Sequence, residues 1–288
     1  MRFRHHAPDP RLRGLVDGYW EVEDFHLAHP EQNADLPERT VRLMLSAGEL
    51  RAGPSPDALR PVLPATLTRF SLRPQRLVVQ GRLSALVAEL YPWGARQLLG
   101  WRADGPPDQL DAALSASAWV REVLALVRQG EWDAAHQALE ARLLDLAARQ
   151  GEAGTGVQAA QRIYASFGTV RVAELAQTLN LSPQTLERQF AREVGVGPKT
   201  LARVARFDEA NIRIRMNPAV PMADLIFDLG FADQSHLIRE FRALSTLTPG
   251  AFAALAARRR HGMDLDLLQA GESLELEVVP HEEPPGPT

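Results

Sequence analysis

The fold turns on the stretch Gly230–Arg242, GFADQSHLIREFR. An apolar run, Met222–Leu229, precedes it, and an acidic residue opens a second apolar run inside it. A residue just past a helix needs the left-handed conformation, which glycine adopts most cheaply. Phe231 is then an apolar plug, and Asp233 is placed to cap a new helix by accepting backbone N–H bonds. Leu237 and Phe241 are four apart and share one helical face. The opposite face carries Ser235 and Arg239, with Gln234 at the helix start. The pattern predicts helix, tight turn, helix.

The same plan occurs earlier in the chain. At an offset of 50, Val172 matches Met222, Leu175 matches Leu225, Leu179 matches Leu229, Asn180 matches Gly230 and Leu181 matches Phe231. At an offset of 51, Ser182 matches Asp233, Leu186 matches Leu237, Arg188 matches Arg239, Phe190 matches Phe241 and Pro198 matches Pro249. The one-residue slip falls in the turn between the two helices of each unit. An internal duplication with kept spacing marks a repeated structural unit. Between the units, Leu201, Val204, Phe207, Ala210 and Ile214 recur every three or four residues, which gives one long amphipathic helix ending at Asn217 and Pro218.

A duplicated helix-turn-helix carries a chemical implication. The second helix of such a unit enters the DNA major groove, and its first residues meet base edges. Side chains that donate and accept hydrogen bonds are needed there; Gln pairs with adenine and Arg pairs bidentately with guanine. In the first unit Gln184 and Arg188 take the polar face, flanked by Glu187.

These residues resemble the DNA-binding domain of the AraC family of bacterial transcription regulators. The family pattern runs G-F-x-D-x-S-x-F-x-R-x-F-(K/R), then G-x-T-P. Here it reads Gly230, Phe231, Asp233, Ser235, Leu237, Arg239, Phe241, Arg242, then Leu247, Thr248 and Pro249. Leu237 stands where an aromatic is usual, and Thr246 where the glycine of G-x-T-P is usual, which predicts strain in that turn. The resemblance covers about residues 155–256 and implies that two units bind successive major-groove turns on one DNA face. Base contact then falls on Gln184, Glu187 and Arg188, and on Gln234, Ser235, Ile238 and Arg239. Glu187 would accept from cytosine N4 or repel phosphate. Arg192 and Arg242, further along each helix, are expected at phosphates.

The rest of the chain reads differently. Residues 1–108 are strand-rich, with short β-branched or alternating runs at Thr40–Leu50, Ala65–Pro74 and Arg76–Leu83, bounded by Pro and Gly. Tyr91–Gly100 reads as a turn and a short helix. Residues 109–150 form a helical pair, Asp111–Gln129 and Glu131–Gln150, as core packing or a dimer seam. Residues 152–257 form the DNA-binding domain, after a glycine-rich joint, and 258–288 a tail that is partly disordered. The fold class is α+β multidomain: a strand-rich N-terminal domain with a helical pair, then an all-α domain of two helix-turn-helix units joined by a long helix. The resemblance extends weakly to the N-terminal part and implies a sensor-type domain, with a cupin-like barrel as one form of it. Its expected partners are duplex DNA and a small-molecule effector of unknown identity. RNA polymerase and a second copy of the chain are further candidates, and no cofactor is expected.

Composition bounds the alternatives. Residues 152–260 hold 14 Lys and Arg against 10 Asp and Glu, a net of +4 on a chain whose net charge is −4. The basic excess therefore sits on the segment read as DNA-binding, although it is small. With no cysteine, disulfides, thiolate metal sites and thiol nucleophiles are excluded. So is a DNA-alkylation repair protein with an AraC-like domain, which would use cysteine as metal ligand and methyl acceptor. No membrane-length apolar run or signal-peptide pattern is seen, and a cytoplasmic location is the expectation. A metal-dependent cupin enzyme would draw ligands from His26, His29, Glu21 and Glu23, but the glycine-rich spacing of such motifs is missing. His5 and His6 are expected in a mobile terminus, and no catalytic residue is assigned.

Overall fold

A computed structural model describes residues 2–68, 72, 75–103 and 107–262. The expectation for the tail therefore lies largely outside the described residues. The N-terminal part is a mixed-length antiparallel sheet. Its strands are β1 (Arg2–His6), β2 (Val16–Asp35), β3 (Val41–Ser46), β4 (Arg51–Gly53), β5 (Arg60–Pro61), β6 (Ala65–Leu67) and β7 (Gln75–Leu90). The order is β1-β2-β7-β3-β6, with β4 pairing β5 and the far end of β7. No pairing among the described residues joins β1 to β6, so the sheet is open and not a closed barrel. The long strands β2 and β7 bend instead, through register shifts at Val16/Gly18, Val22/Phe25 and Leu27/Glu31.

Residues 2–6 are not a loose segment. β1 pairs with β2 in register from Arg2↔Glu23 to His6↔Tyr19. Glu21, one of the residues weighed as a metal ligand, is 2% exposed and pairs instead with Arg4 at 2.6 Å and His6 at 2.9 Å. His6 also stacks on His136 at 4.6 Å between ring centroids. The sequence reading missed this because Glu21 and His136 lie far along the chain from His6.

Helices cover the sheet. α1 (Pro92–Leu99) ends at Gly100, whose φ of 71° is left-handed. The helix expected over Asp111–Gln129 is two helices, α2 (Pro107–Ala116) and α3 (Ala118–Gln129). Two serines explain the break. Ser117 is extended and its hydroxyl donates to the Leu114 carbonyl at 2.6 Å, while Ser115 exchanges hydrogen bonds with the backbone of Ala65 in β6. α4 is Trp132–Ala148. No regular structure spans 151–154.

The C-terminal part is all helix: α5 (Thr155–Ala165), α6 (Val172–Thr178), α7 (Pro183–Val194), α8 (Pro198–Met216), α9 (Met222–Asp228), α10 (Gln234–Ser245) and α11 (Pro249–Gly262). The starts of α9, α10 and α11 follow those of α6, α7 and α8 by 50, 51 and 51 residues, the offsets of the sequence repeat. We refer to α6–α7 as unit one and α9–α10 as unit two.

Two hydrophobic cores are formed among the described residues. One runs without interruption from the sheet (Leu43, Leu86) through α3 and α4 (Leu124, Leu139) to α5–α7 and the start of α8 (Ile163, Phe190, Leu201). The other belongs to unit two: Phe207 and Ile214 of α8 pack with Leu225, Leu237, Phe241 and Phe252.

Candidate nucleic-acid interface

The turn of each unit is built by the residues that the repeat singled out. Asn180 and Gly230 have φ of 55° and 63°, both left-handed. The side chain of Ser182 accepts the Thr185 N–H at 3.1 Å, and that of Asp233 accepts the His236 N–H at 2.7 Å. These are matching caps at the same step of each second helix. Behind the caps, Leu186 and Phe190 are buried on the inner face of α7, and Leu237 and Phe241 on that of α10.

Burying those faces turns the polar ones outward. On α7, Gln184, Glu187, Arg188 and Arg192 are all exposed. On α10, Gln234, Ser235, Arg239 and Arg242 are exposed and Ile238 is half-buried. Gln184 and Arg188 are one turn apart, as are Ser235 and Arg239, so each pair projects along one edge of its helix.

The two faces are not copies. Glu187 in unit one corresponds to Ile238 in unit two, an acid against an apolar residue at one position of the plan. The two arginines expected at phosphates do not correspond either. At the repeat offset Arg242 matches Ala191, and Arg192 matches Ala243. Arg192 is drawn to Glu193 at 2.6 Å, and the other oxygen of Glu193 accepts the Gly156 N–H at 2.8 Å at the start of α5. Arg242 makes no ion pair among the described residues.

Four further cations were not singled out by the sequence reading: Arg171, Lys199, Arg203 and Arg206. They line a cavity of about 410 Å3 between the units. Arg203 and Arg206 went unnoticed because α8 was read for its apolar face alone. Lys199 carried a signal, as the one lysine among 32 cations.

The first unit is also tied to the sheet. α1 packs on α7, and Trp101 lies against Gly195, the left-handed residue that ends α7. Arg39, in the loop before β3, reaches α8 and lies 3.4 Å from Asp208 and 3.3 Å from Glu209. Its carbonyl accepts the Tyr164 hydroxyl at 2.5 Å. Burial pushes the Asp208 carboxyl up to about 7, a rise that the nearby Arg39 only partly offsets.

Residues 175–254 match the profile of a helix-turn-helix domain family. No curated protein sequence matches the chain. Among solved structures, the C-terminal domain of AraT, a response regulator from Geobacillus stearothermophilus, is 20% identical, with 40% of this chain and 91% of that one covered and a TM-score of 0.34. ToxT from Vibrio cholerae, bound to (E)-4-(8-methylnaphthalen-1-yl)but-3-enoic acid, is 10% identical over 89% of this chain and 100% of that one, with a TM-score of 0.44. The AraC-like transcriptional activator CuxR is 12% identical over 72% of this chain and 86% of that one, with a TM-score of 0.24.

Proposed function

We propose that the chain, whose residues 175–254 match a helix-turn-helix domain family, is a DNA-binding transcription regulator of the AraC type, and that it reads DNA with both of its units. α7 and α10 enter successive major grooves on one face of the duplex. Gln184, Glu187 and Arg188 meet bases in one groove, and Gln234, Ser235, Ile238 and Arg239 in the other. Arg192 and Arg242 meet phosphates, with Arg192 giving up its contact to Glu193. The observation that carries this reading is the exposure of a polar face at the same place in both copies of one structural unit, set on a rigid frame of caps and buried aromatics.

The division into residues 1–108, 109–150, 152–257 and 258–288 belongs to the same proposal. The N-terminal part is the controlling domain, acted on by a small-molecule effector, and the protein works without catalysing a reaction. Arg39 and the core shared with unit one support such control, because a shift in the sheet is felt at α5, α7 and α8. RNA polymerase and a second copy of the chain are the further partners proposed. Among the described residues no helix is long and apolar enough to cross a membrane, in keeping with a regulator that meets DNA in the cytoplasm.

The test is binding of the full chain to a pool of random duplexes at several salt concentrations. Specific binding that weakens steeply with salt is expected, since neutralised phosphates release counterions. Absence of binding at low salt would overturn the reading.

A further inference from the structure

The cavity between the units plays no part in the base contacts assigned above. Its lining holds four cations, Arg171, Lys199, Arg203 and Arg206, against one acid, Glu240. One cation is neutralised there: the Arg203 Nε lies 2.5 Å from the Glu240 carboxylate, which braces α8 against α10. The other three are not matched by acids in the lining. Arg206 donates one N–H to the Gly168 carbonyl at 2.7 Å and lies 5.5 Å from the Phe231 ring centroid. Its Nε is buried with no hydrogen-bond partner among the described residues, and burial lowers its affinity for the proton. Arg171 is 82% exposed at the rim and reaches only Glu174, at 3.6 Å. Lys199 is exposed and makes no ion pair among the described residues.

A half-enclosed site with an excess of three cations and an orphaned guanidinium N–H favours an anion. The donors are arginine and lysine from two separate elements, an arrangement suited to the several oxygens of a phosphate. Position narrows the source. Arg171 immediately precedes α6, the first helix of unit one, and the first helix of such a unit crosses the DNA backbone. Lys199 lies in the first turn of α8, the helix that joins the two units. We propose that this cavity is a phosphate site, receiving a backbone phosphate from the DNA segment that runs between the two grooves. The proposal rests on the DNA reading above. It adds that the space between the units is itself a contact, one that fixes their spacing on the duplex without reading sequence.

The variant is Arg171→Gln/Lys199→Gln in the full chain, since both side chains are exposed and neither supports a core. Affinity is measured for a selected duplex and its single-base variants across a range of salt concentrations. The expected result is a loss of about tenfold for every sequence alike, with a salt slope shallower by about one. Arg171→Lys/Lys199→Arg should restore both. A second arm compares melting temperature in inorganic phosphate and in chloride at equal ionic strength. If DNA binding is unchanged but phosphate stabilises the wild type and not the double variant, the site takes a free phosphate ester rather than the DNA backbone. Unchanged behaviour in both arms overturns the site, as does an altered base preference. A wild-type chain that binds no duplex sinks the DNA reading instead, and the inorganic phosphate arm then decides the site alone.

Discussion

In unit one Phe190 is buried in a core that also contains Leu43 and Leu86 of the sheet. In unit two its repeat partner Phe241 is buried in a separate core, with ring centroids 5.0 Å from Phe207 and 5.5 Å from Phe252. The two units have matching turns, matching caps and an exposed polar face at the same place, yet one shares its core with the sheet and the other packs in a core of its own. A repeat fixes what a unit looks like from the DNA side; what lies behind it is free to differ. The N-terminal part therefore meets α7 through a shared core, and meets unit two through α8 and through Leu36 and Leu72, which pack on the edge of the second core.

The largest expected effect tests that separation. Phe→Ala in a packed core costs about 3–5 kcal/mol. All five tryptophans lie at or before residue 132, so their fluorescence reports the sheet side and not unit two. Phe241→Ala should lower the melting transition seen by circular dichroism while leaving the tryptophan transition in place. Phe190→Ala should shift both together. If the two variants move both probes alike, the cores are one cooperative unit and the comparison breaks down.

A smaller effect concerns the grip of Arg39 on α8. Asp208 has its folded pKa raised to about 7 from an ordinary 3.8. Between those values the folded chain holds a proton that the unfolded chain has lost, so the stability from this group is full below about pH 4. It declines as pH rises towards 7 and is level above. Asp208→Asn carries no such dependence. Relative to the wild type, the variant should therefore gain about 2 kcal/mol between pH 5 and pH 8. Urea midpoints at the two pH values check this; a constant difference would mean that Asp208 is ionised throughout.

The smallest effect sharpens the likeness of the units at their ends. α7 stops at Gly195 with φ 87°, and α10 stops at Thr246 with φ 65°. A β-branched residue in that region is strained, so Thr246→Gly should stabilise unit two by about 1 kcal/mol, net of the entropy that glycine adds to the unfolded chain. In the turn, where a Cβ at Gly230 meets nothing closer than 3.9 Å, the cost is backbone alone. Gly230→Asn, which copies Asn180, should be nearly neutral, and Gly230→Val should cost about 1–3 kcal/mol. Equal melting temperatures for Asn and Val at 230 would contradict the left-handed turn.

These ends and turns were legible in the sequence because they depend on local chemistry. Gly, Asn, Ser and Asp at fixed offsets give left-handed residues and caps whatever surrounds them. The strain at Thr246 was readable as a threonine in a glycine position. Other features depend on partners distant in the chain. Arg39 meets Tyr164 and Asp208 across more than a hundred residues, and no periodicity marks it. The lengths of β2 and β7 were hidden because register shifts break the alternation that reveals a strand. Ser117 broke an expected helix by donating its hydroxyl to the Leu114 carbonyl, in a stretch whose apolar spacing continues across it. On the candidate interface, residue type and exposure were readable, but the pull of Glu193 on Arg192 was not, since it follows from the cap that Glu193 places on α5.

The central claim is that each unit reads its own groove. The direct test is selection of bound sequences from random DNA by the wild type, Arg188→Ala and Arg239→Ala. The wild type should enrich two short blocks about one helical turn apart, roughly 10 base pairs. Arg188→Ala should relax one or two positions in one block and Arg239→Ala in the other, each at a cost of about 1–3 kcal/mol for a lost bidentate contact. Arg242→Ala, as a phosphate contact, should weaken all sequences alike and relax neither block. If both Arg188→Ala and Arg239→Ala relax the same block, or if only one block is enriched at all, the two-groove account is contradicted.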